Sequence, residues 1–566
     1  MKKLSCNLIF TGLLAVCLSA VLAGYFAVHQ LKCPPEAAMR LSCGALIADG
    51  ARPYIDFLDN SSPFALYLAA LPALISKTIF VHPICIFNML VVLLTLISLL
   101  LVINRASGRS PRLLMVQFCL PAIALGVALT QLHFLSQFGQ EGILFFLFFL
   151  PYLVQRYLSL SALHTDKRRV FPALIGVLAS FGLLLNPVCL VAFAAVEFAC
   201  LFSLGNISLT KLKQRYVTTE LVACLLSLLA LSLALFCLAP LVVREYLGPI
   251  TKINQLTFEY FNDDLSYVGK SPDRRDLVYT FVVFFILSLP VAGRCLLTRL
   301  MCLMAAFGFG CFVFSATLFS HQGILMIAYS LVALLLSGAR YMRSIKPIKR
   351  FCGSLAIWCQ SHFFELKNKQ LIALVSSICV VALVSSVYAS SKSVKGKSFA
   401  LSELGYYGYG LERDLSFFSK TVKEASAARD SVWIYSEQAS PAYPLLTQLR
   451  RKPGYLIWGF PLHTLRVLHE RGTPLQVAEL SNFEATMYDR LRVEMLSPHP
   501  PTLVLIEDGE VRDLFKANGI ISIIEQFYSP IDSCSPLNGD EIASHDPYEY
   551  LGYRVTFSAD KLKLNK

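Results

Sequence analysis

The chain has 566 residues and a formal net charge of +13, with 55% hydrophobic and 15% charged residues, and its mean hydropathy is +0.59. A soluble chain of this length would form roughly three or four domains and carry about 25% charged residues. The composition excludes a soluble enzyme, a disordered scaffold and a nucleic-acid binder, so the positive charge is read through membrane topology.

At the N-terminus, Met1, Lys2 and Lys3 precede an apolar run from Leu8 to about Val28. Val21-Leu22-Ala23 would serve as a cleavage site, but the run approaches the roughly 20 residues that span a bilayer, which favours a retained signal-anchor helix. Long uncharged runs predict eleven spans, at about 8–28, 84–104, 113–131, 142–158, 171–185, 188–204, 219–241, 277–293, 300–318, 322–338 and 370–390. One further run, Phe64 to Ile79, follows Pro63 and is broken by Pro72. Read as a helix in or against the outer interface, it leaves the basic clusters 105–112, 156–169, 211–215, 294–299 and 340–350 on the inside. The loops left outside between spans 2 and 11 then hold only Arg244, Lys252, Lys270, Arg274 and Arg275. Counting it as a span reverses that bias, so the positive-inside rule selects a cytoplasmic N-terminus and a multi-pass protein of the cytoplasmic membrane.

This topology places residues 29–83, the turn Gln131 to Glu141 and the tail 391–566 outside. The expected organisation is a membrane module over 1–390 and an extracytoplasmic α/β domain over 391–566. In the tail, DSVWIY (430–435) and PTLVLIED (501–508) are short apolar runs suited to buried strands, while Thr464 to Arg471 and Val511 to Ala517 read as helical. The tail carries no Gly-x-Ser-x-Gly, P-loop or Rossmann glycine pattern.

Chemistry concentrates in the first external loop, where Glu36, Asp49, Asp56 and Asp59 face the membrane surface. Glu36, Met39, Arg40 and Cys43 fall at helical spacing, which puts Glu36 and Arg40 on one face. Gly50 and Pro53 punctuate the end of that helix. The bland alternative is a set of solvated acids with an ordinary i,i+4 pair, worth a few tenths of a kcal/mol. Glu141, in the second external turn, opens a fully apolar span. A carboxylate there is costly to bury and tends to be kept for a use, or it complements the helix dipole. Gln140 and His133 are weaker candidates, and His133, His82 and His321 are discounted as structural histidines. Asn186-Pro187 reads as a plain turn, and 242–276 as a long solvated loop.

Most of the 17 cysteines lie in apolar runs and behave as small hydrophobes. Cys33 and Cys43 share one external loop, where a bridge remains open. No CxxC or His-x-x-x-His spacing offers metal ligands.

Three stretches carry a resemblance. The loop runs from Glu36 to Gly50 and on through PYIDFLDNSSPFALYL (53–68); FGQEGILFFLFFLPYL (138–153) and FGLLLNPVCLVAFAAVEF (181–198) follow in order. Together they resemble bacterial members of the GT-C superfamily of membrane glycosyltransferases, which includes protein O-mannosyltransferases and the aminoarabinose transferase of lipid A. The resemblance covers roughly the first 200 residues and the topology. It departs from the family at Glu36, where Asp is common, at Glu141, which follows Gln140 without an intervening arginine, and at Asn186-Pro187-Val188.

The resemblance implies a GT-C-like helical fold and transfer of a sugar from a polyprenyl-phosphate donor to a glycan, lipid or protein acceptor at the outer face. It implies Asp56 and Glu36 as base candidates and Glu141 as a second-loop carboxylate, with Arg40, Tyr54, Asp59, Gln140 and Arg244 as substrate-binding residues. Chemically, a carboxylate must take the proton of the acceptor hydroxyl, and a cation such as Arg40 or Arg244 would neutralise the leaving phosphate. A divalent metal could assist and is not required. The alternatives are a transporter or flippase, which asks for midplane charges and repeated halves, and a non-catalytic envelope scaffold.

Overall fold

The computed structural model describes residues 6–29, 31–106, 111–160, 170–204, 216–261, 272–314, 323–344, 377, 380–385, 421–436, 439, 442–507, 509–534 and 550–555. The protein is a polytopic α-helical membrane protein with an α/β domain near its C-terminus, and it divides into two compact units. The first comprises Met1–Gln30, Phe87–Ala234 and Asn262–Gly405, the second Leu31–Ile86, Leu235–Phe261 and Tyr406–Lys566. The boundary expected at residue 390 falls outside the described residues.

In chain order the helices are α1 (Cys6–Val28), α2 (Pro35–Ala48), α3 (Pro63–Ile79), α4 (Pro83–Ala106), α5 (Pro111–His133), α6 (Glu141–Leu160), α7 (Val170–Leu185), α8 (Cys189–Phe202), α9 (Thr219–Leu238), α10 (Pro240–Glu245), α11 (Thr251–Phe261), α12 (Pro272–Ala292), α13 (Leu296–Phe314) and α14 (Ile324–Ser344). Among the described residues, seven helices are long and apolar enough to cross a membrane, within α1, α4, α6, α9, α12, α13 and α14. The spans expected at 113–131, 171–185 and 188–204 are α5, α7 and α8, whose apolar stretches are shorter. The span expected at 370–390 lies largely outside the described residues.

Helix α6 is the axis of the first unit. Phe145, Phe146, Phe149 and Tyr152 are fully buried along it, and it packs on α7, α13 and α14. By contrast α9 shows Leu225, Leu226, Leu229, Leu233 and Phe236 on its surface, as a helix facing acyl chains should, because lipid rewards the same side chains that a core does. Where α7 meets α9 the backbones nearly touch: a Cβ on Gly176 would lie 2.2 Å from the carbonyl oxygen of Glu220. Only glycine fits there, and the contact fixes where Glu220 enters the unit.

The second unit is built differently. Helices α2 and α3 pack closely, and a Cβ on Gly44 would lie 2.1 Å from the carbonyl oxygen of Ala69. Pro35 opens α2 at a position that needs no amide donor, and Ser62 caps α3 by accepting from Ala65 N. The segment expected to be a solvated loop is helical where described: α10, a π-helical turn over Tyr246–Ile250, and α11. Its order follows from an apolar stripe, since Ile250, Ile253 and Leu256 recur every three residues and are all buried.

The α/β domain places the expected strands as β1 (Val432–Tyr435) and β2 (Leu503–Glu507), followed by β3 (Tyr528–Cys534) and β4 (Tyr550–Val555). The sheet order is β1-β2-β4-β3, with β1 and β2 parallel and the other pairings antiparallel. Every residue of β1 and β2 is buried, the inner strand β2 and the edge strand β1 alike, so both faces of each strand are covered, as their apolar runs suggested. Around them lie α15 (Ala442–Gln448), α16 (Phe460–Arg471), α17 (Pro474–Met495), α18 (Glu510–Ala517) and α19 (Ile520–Phe527).

Candidate active site

Residues 49–62 connect α2 to α3 and wrap around a carboxylate. Asp59 is 2% exposed. Its Oδ1 accepts from Ser61 N at 2.7 Å, and its Oδ2 faces the Cys43 thiol of α2 at 3.8 Å. Burial raises the Asp59 pKa, while the hydrogen bonds from Ser61 and the charge of Arg40 draw it partway back. An upward-shifted carboxyl is a better proton acceptor than an ordinary aspartate, and its burial is costly unless the site has a use for it.

Tyr54 encloses the same pocket of polarity. It is buried, donates its hydroxyl to the Ser61 carbonyl, and stacks near Tyr246 with ring centroids 5.6 Å apart. Burial, reinforced by the Asp59 charge, pushes its hydroxyl pKa well up, so it stays a donor. Its backbone has φ of +63°. A bulky residue in the left-handed region costs on the order of 1–3 kcal/mol and persists where the surroundings dictate it. Asn254 of α11 donates to the Asn60 carbonyl at 3.3 Å, so the helical segment 251–261 braces the loop.

Asp56 sits differently. It is partly exposed and forked onto Arg52, with Arg52 Nε to Oδ2 at 3.1 Å, Nη2 to Oδ1 at 3.2 Å and the Arg52 amide to Oδ2 at 2.8 Å. The Arg52 guanidinium holds the Asp56 carboxyl below the usual carboxylate range. Glu36 and Arg40 are half-buried on α2, and the Arg40 charge reaches Asp59, Cys43 and Cys33. Asp49 is taken up by Lys77 at 2.9 Å and Lys452 at 3.1 Å. Burial works to raise its pKa, and these two cations outweigh it. Cys33 and Cys43 are buried free thiols.

The structure therefore brings Asp59, Tyr54, Arg40 and Cys43 together, with Asp56 on the same loop. Arg244 is an exposed side chain paired with its neighbour Glu245 at 3.0 Å. Glu141 and Gln140 belong to the first unit. Glu141 is half-buried in the first turn of α6, and Gln140 is buried, its amide 3.4 Å from Gln137. Among the described residues no group of three or more His, Cys, Asp or Glu could hold a metal ion.

A second buried polar cluster escaped the sequence reading. In the first unit Arg156 of α6 is forked onto Glu197 of α8, with Nε to Oε1 at 2.9 Å and Nη2 closing on Oε2. Tyr152 donates to Glu197 at 2.7 Å, and Arg156 Nη1 reaches Thr218 at 2.8 Å, the Tyr216 carbonyl at 3.1 Å and Glu220 at 3.8 Å. Arg105 donates to Gln155 at 2.6 Å beside them. Glu197 in the middle of an otherwise uncharged run was the available signal.

No protein-family model matches the chain, and none of the curated proteins does. Among solved structures it is similar to ArnT from Cupriavidus metallidurans in the apo state, at 11% identity and a TM-score of 0.47, over 96% of each chain. It is also similar to the Archaeoglobus fulgidus oligosaccharyltransferase in complex with zinc and sulfate, at 11% identity and a TM-score of 0.37, over 96% of this chain and 73% of that one. Likeness at this level assigns no residue and no reaction; the chain's own residues carry its functional reading.

Proposed function

We propose that the protein is a membrane glycosyltransferase that moves a sugar from a polyprenyl-phosphate donor to an acceptor hydroxyl at the outer face of the cytoplasmic membrane. The observation that carries the reading is the buried Asp59, enclosed by a strained Tyr54 and hydrogen-bonded, among the described residues, to the Ser61 amide and the Cys43 thiol and not to a cation. Solvated acids, the bland alternative, do not explain a carboxylate taken out of water at a cost of several kcal/mol. Motifs 53–68, 138–153 and 181–198 supply the reaction class by resemblance.

In this mechanism Asp59 accepts the acceptor's proton as the hydroxyl oxygen attacks the anomeric carbon. The bond to the donor phosphate breaks, and the polyprenyl phosphate leaves with the electron pair. Arg40, whose charge already reaches Asp59, offsets the negative charge that develops. Asp56 and Glu36 keep candidate roles in binding sugar hydroxyls or as the base, and Glu141 as the second-loop carboxylate. The external position of the loop and of the C-terminal domain follows from the charge bias of the connecting loops. A transporter would ask for membrane-embedded charge free to bind an ion, and among the described residues the buried Arg156 is engaged by Glu197 and Glu220.

The test is donor turnover by the purified protein in lipid nanodiscs supplied with polyprenyl-phosphate sugars. Wild type is expected to release polyprenyl phosphate, and a variant carrying Glu36→Gln, Asp56→Asn, Asp59→Asn and Glu141→Gln together is expected to release none while remaining folded. A non-catalytic scaffold would tolerate all four changes.

A further inference from the structure

Helix α17 reaches the acid loop through one long side chain. Arg490 donates Nη1–H to the carbonyl of Ile55, and its guanidinium lies over the ring of Tyr455, 5.5 Å from the centroid. The strand-like segment 455–457 then takes up the loop on the far side of Asp56. Leu58 N donates to the Tyr455 carbonyl at 2.7 Å, and Ile457 N donates to the Leu58 carbonyl at 3.3 Å. Glu494, one turn further along α17, accepts from Tyr455 N at 3.0 Å. Residues 55 and 58, which bracket Asp56 and lead into Asp59, are thus both tied to the C-terminal portion of this unit.

The chemistry of arginine suits this task. A planar guanidinium can donate to a carbonyl and stack on an aromatic face at once, whereas an ammonium offers a point charge. Within the loop itself, Ile55 and Asp56 bond back to the Arg52 carbonyl at 3.3 and 2.9 Å. That single turn cannot set where the loop stands relative to α17.

We infer that Arg490 is a positioning residue, holding the acid loop in register with α17 so that the carboxylates of residues 56 and 59 are presented in one fixed geometry. The structural half of this inference stands on the contacts alone, and its kinetic half rests on the proposed sugar transfer.

The experiment uses the full-length protein in nanodiscs, with hydrogen–deuterium exchange read on peptides covering 52–60 and 503–507 and donor turnover read alongside. In Arg490→Ala, exchange over 52–60 is expected to rise at least tenfold with 503–507 unchanged. The kcat is expected to fall at least tenfold with the donor KM changed less than threefold. Arg490→Lys keeps a donor without the planar stack, and is expected to lie between wild type and Arg490→Ala in both readouts. Wild-type protection over 52–60 in Arg490→Ala overturns the inference. So does an equal loss of protection over 503–507, because Arg490 would then hold the domain and not the loop. If wild type turns over no donor while Arg490→Ala still loosens 52–60 alone, the proposed reaction falls and the attachment of the loop to α17 stands.

Discussion

Glu197 and Asp59 are both shut away from water, yet their surroundings differ in kind. Glu197 meets a forked guanidinium and a tyrosine hydroxyl, whereas Asp59 meets a backbone amide and a weakly donating thiol, with Arg40 acting on it only through its charge. A buried acid with a matched cation is neutral as a pair and ties two helices together. One without a bonded cation keeps an unmet electrostatic demand, and that demand is available to a substrate. The first arrangement is structural, and the second is what a proton acceptor requires.

The largest effect expected from this contrast is on the first cluster. Glu197→Ala takes the forked partner from Arg156 and leaves it only the longer contact to Glu220, and removing one partner of a buried pair costs about 3–5 kcal/mol. Thermal unfolding in detergent should show that loss, with little folded protein recovered. Arg156→Met combined with Glu197→Leu and Glu220→Gln removes all three charges of the cluster, and it should be less damaging than Arg156→Met alone. A stable Glu197→Ala that has lost only activity would move this cluster to the functional side and end the contrast.

Asp59→Asn sharpens the other side. The amide is nearly isosteric, carries no charge to bury, and its oxygen can still accept from Ser61 N. Its stability should lie within about 1 kcal/mol of wild type, or above it, since active-site carboxylates are commonly kept at the expense of stability. Donor turnover should fall about 10²–10⁴-fold, the usual contribution of a general base. Unfolding of Asp59→Asn with activity retained per folded molecule would make Asp59 a structural acid like Glu197.

How much of this was legible in the sequence depends on whether the signal was local. Uncharged runs located α1 and α4 through α9 because lipid and core both reward apolar length, and the strands at 432–435 and 503–507 were visible as short unbroken apolar runs. The spacing of Glu36, Met39, Arg40 and Cys43 correctly foretold α2. Asp59 was recognised as one acid among several, but nothing local separates it from Asp56 three residues earlier. Asp59 lies against Cys43 of α2, sixteen residues earlier, whereas Asp56 is partly exposed and pairs with Arg52 within its own turn. The helical order of 240–261 was missed because its buried stripe of Ile250, Ile253 and Leu256 is short and set among polar residues. Arg156 was counted as one of the inside-loop cations, since its partner Glu197 lies 41 residues away in sequence and proximity of that kind is not written in any window.

Glu494 of α17 is a half-buried acid, intermediate between the other two, and the effect expected there is the smallest. It accepts from one backbone amide, and Arg490 one turn away draws its pKa down, but burial dominates and raises it to about 7. In the unfolded chain a glutamate releases its proton near 4.3. Between those two values the folded state binds more protons than the unfolded one, so stability must fall as pH rises through that interval and level off above it. The stabilisation is fully present below the unfolded value and is gone once pH passes about 7, a swing of at most roughly 3–4 kcal/mol. Glu494→Gln, neutral at every pH and still able to accept from Tyr455 N, should remove this contribution and gain most over wild type at pH 8. Thermal melts at pH 5 and pH 8 measure it. An unchanged pH dependence in Glu494→Gln would mean that Glu494 is charged and compensated in the folded protein, which would place it with Glu197 and not with Asp59.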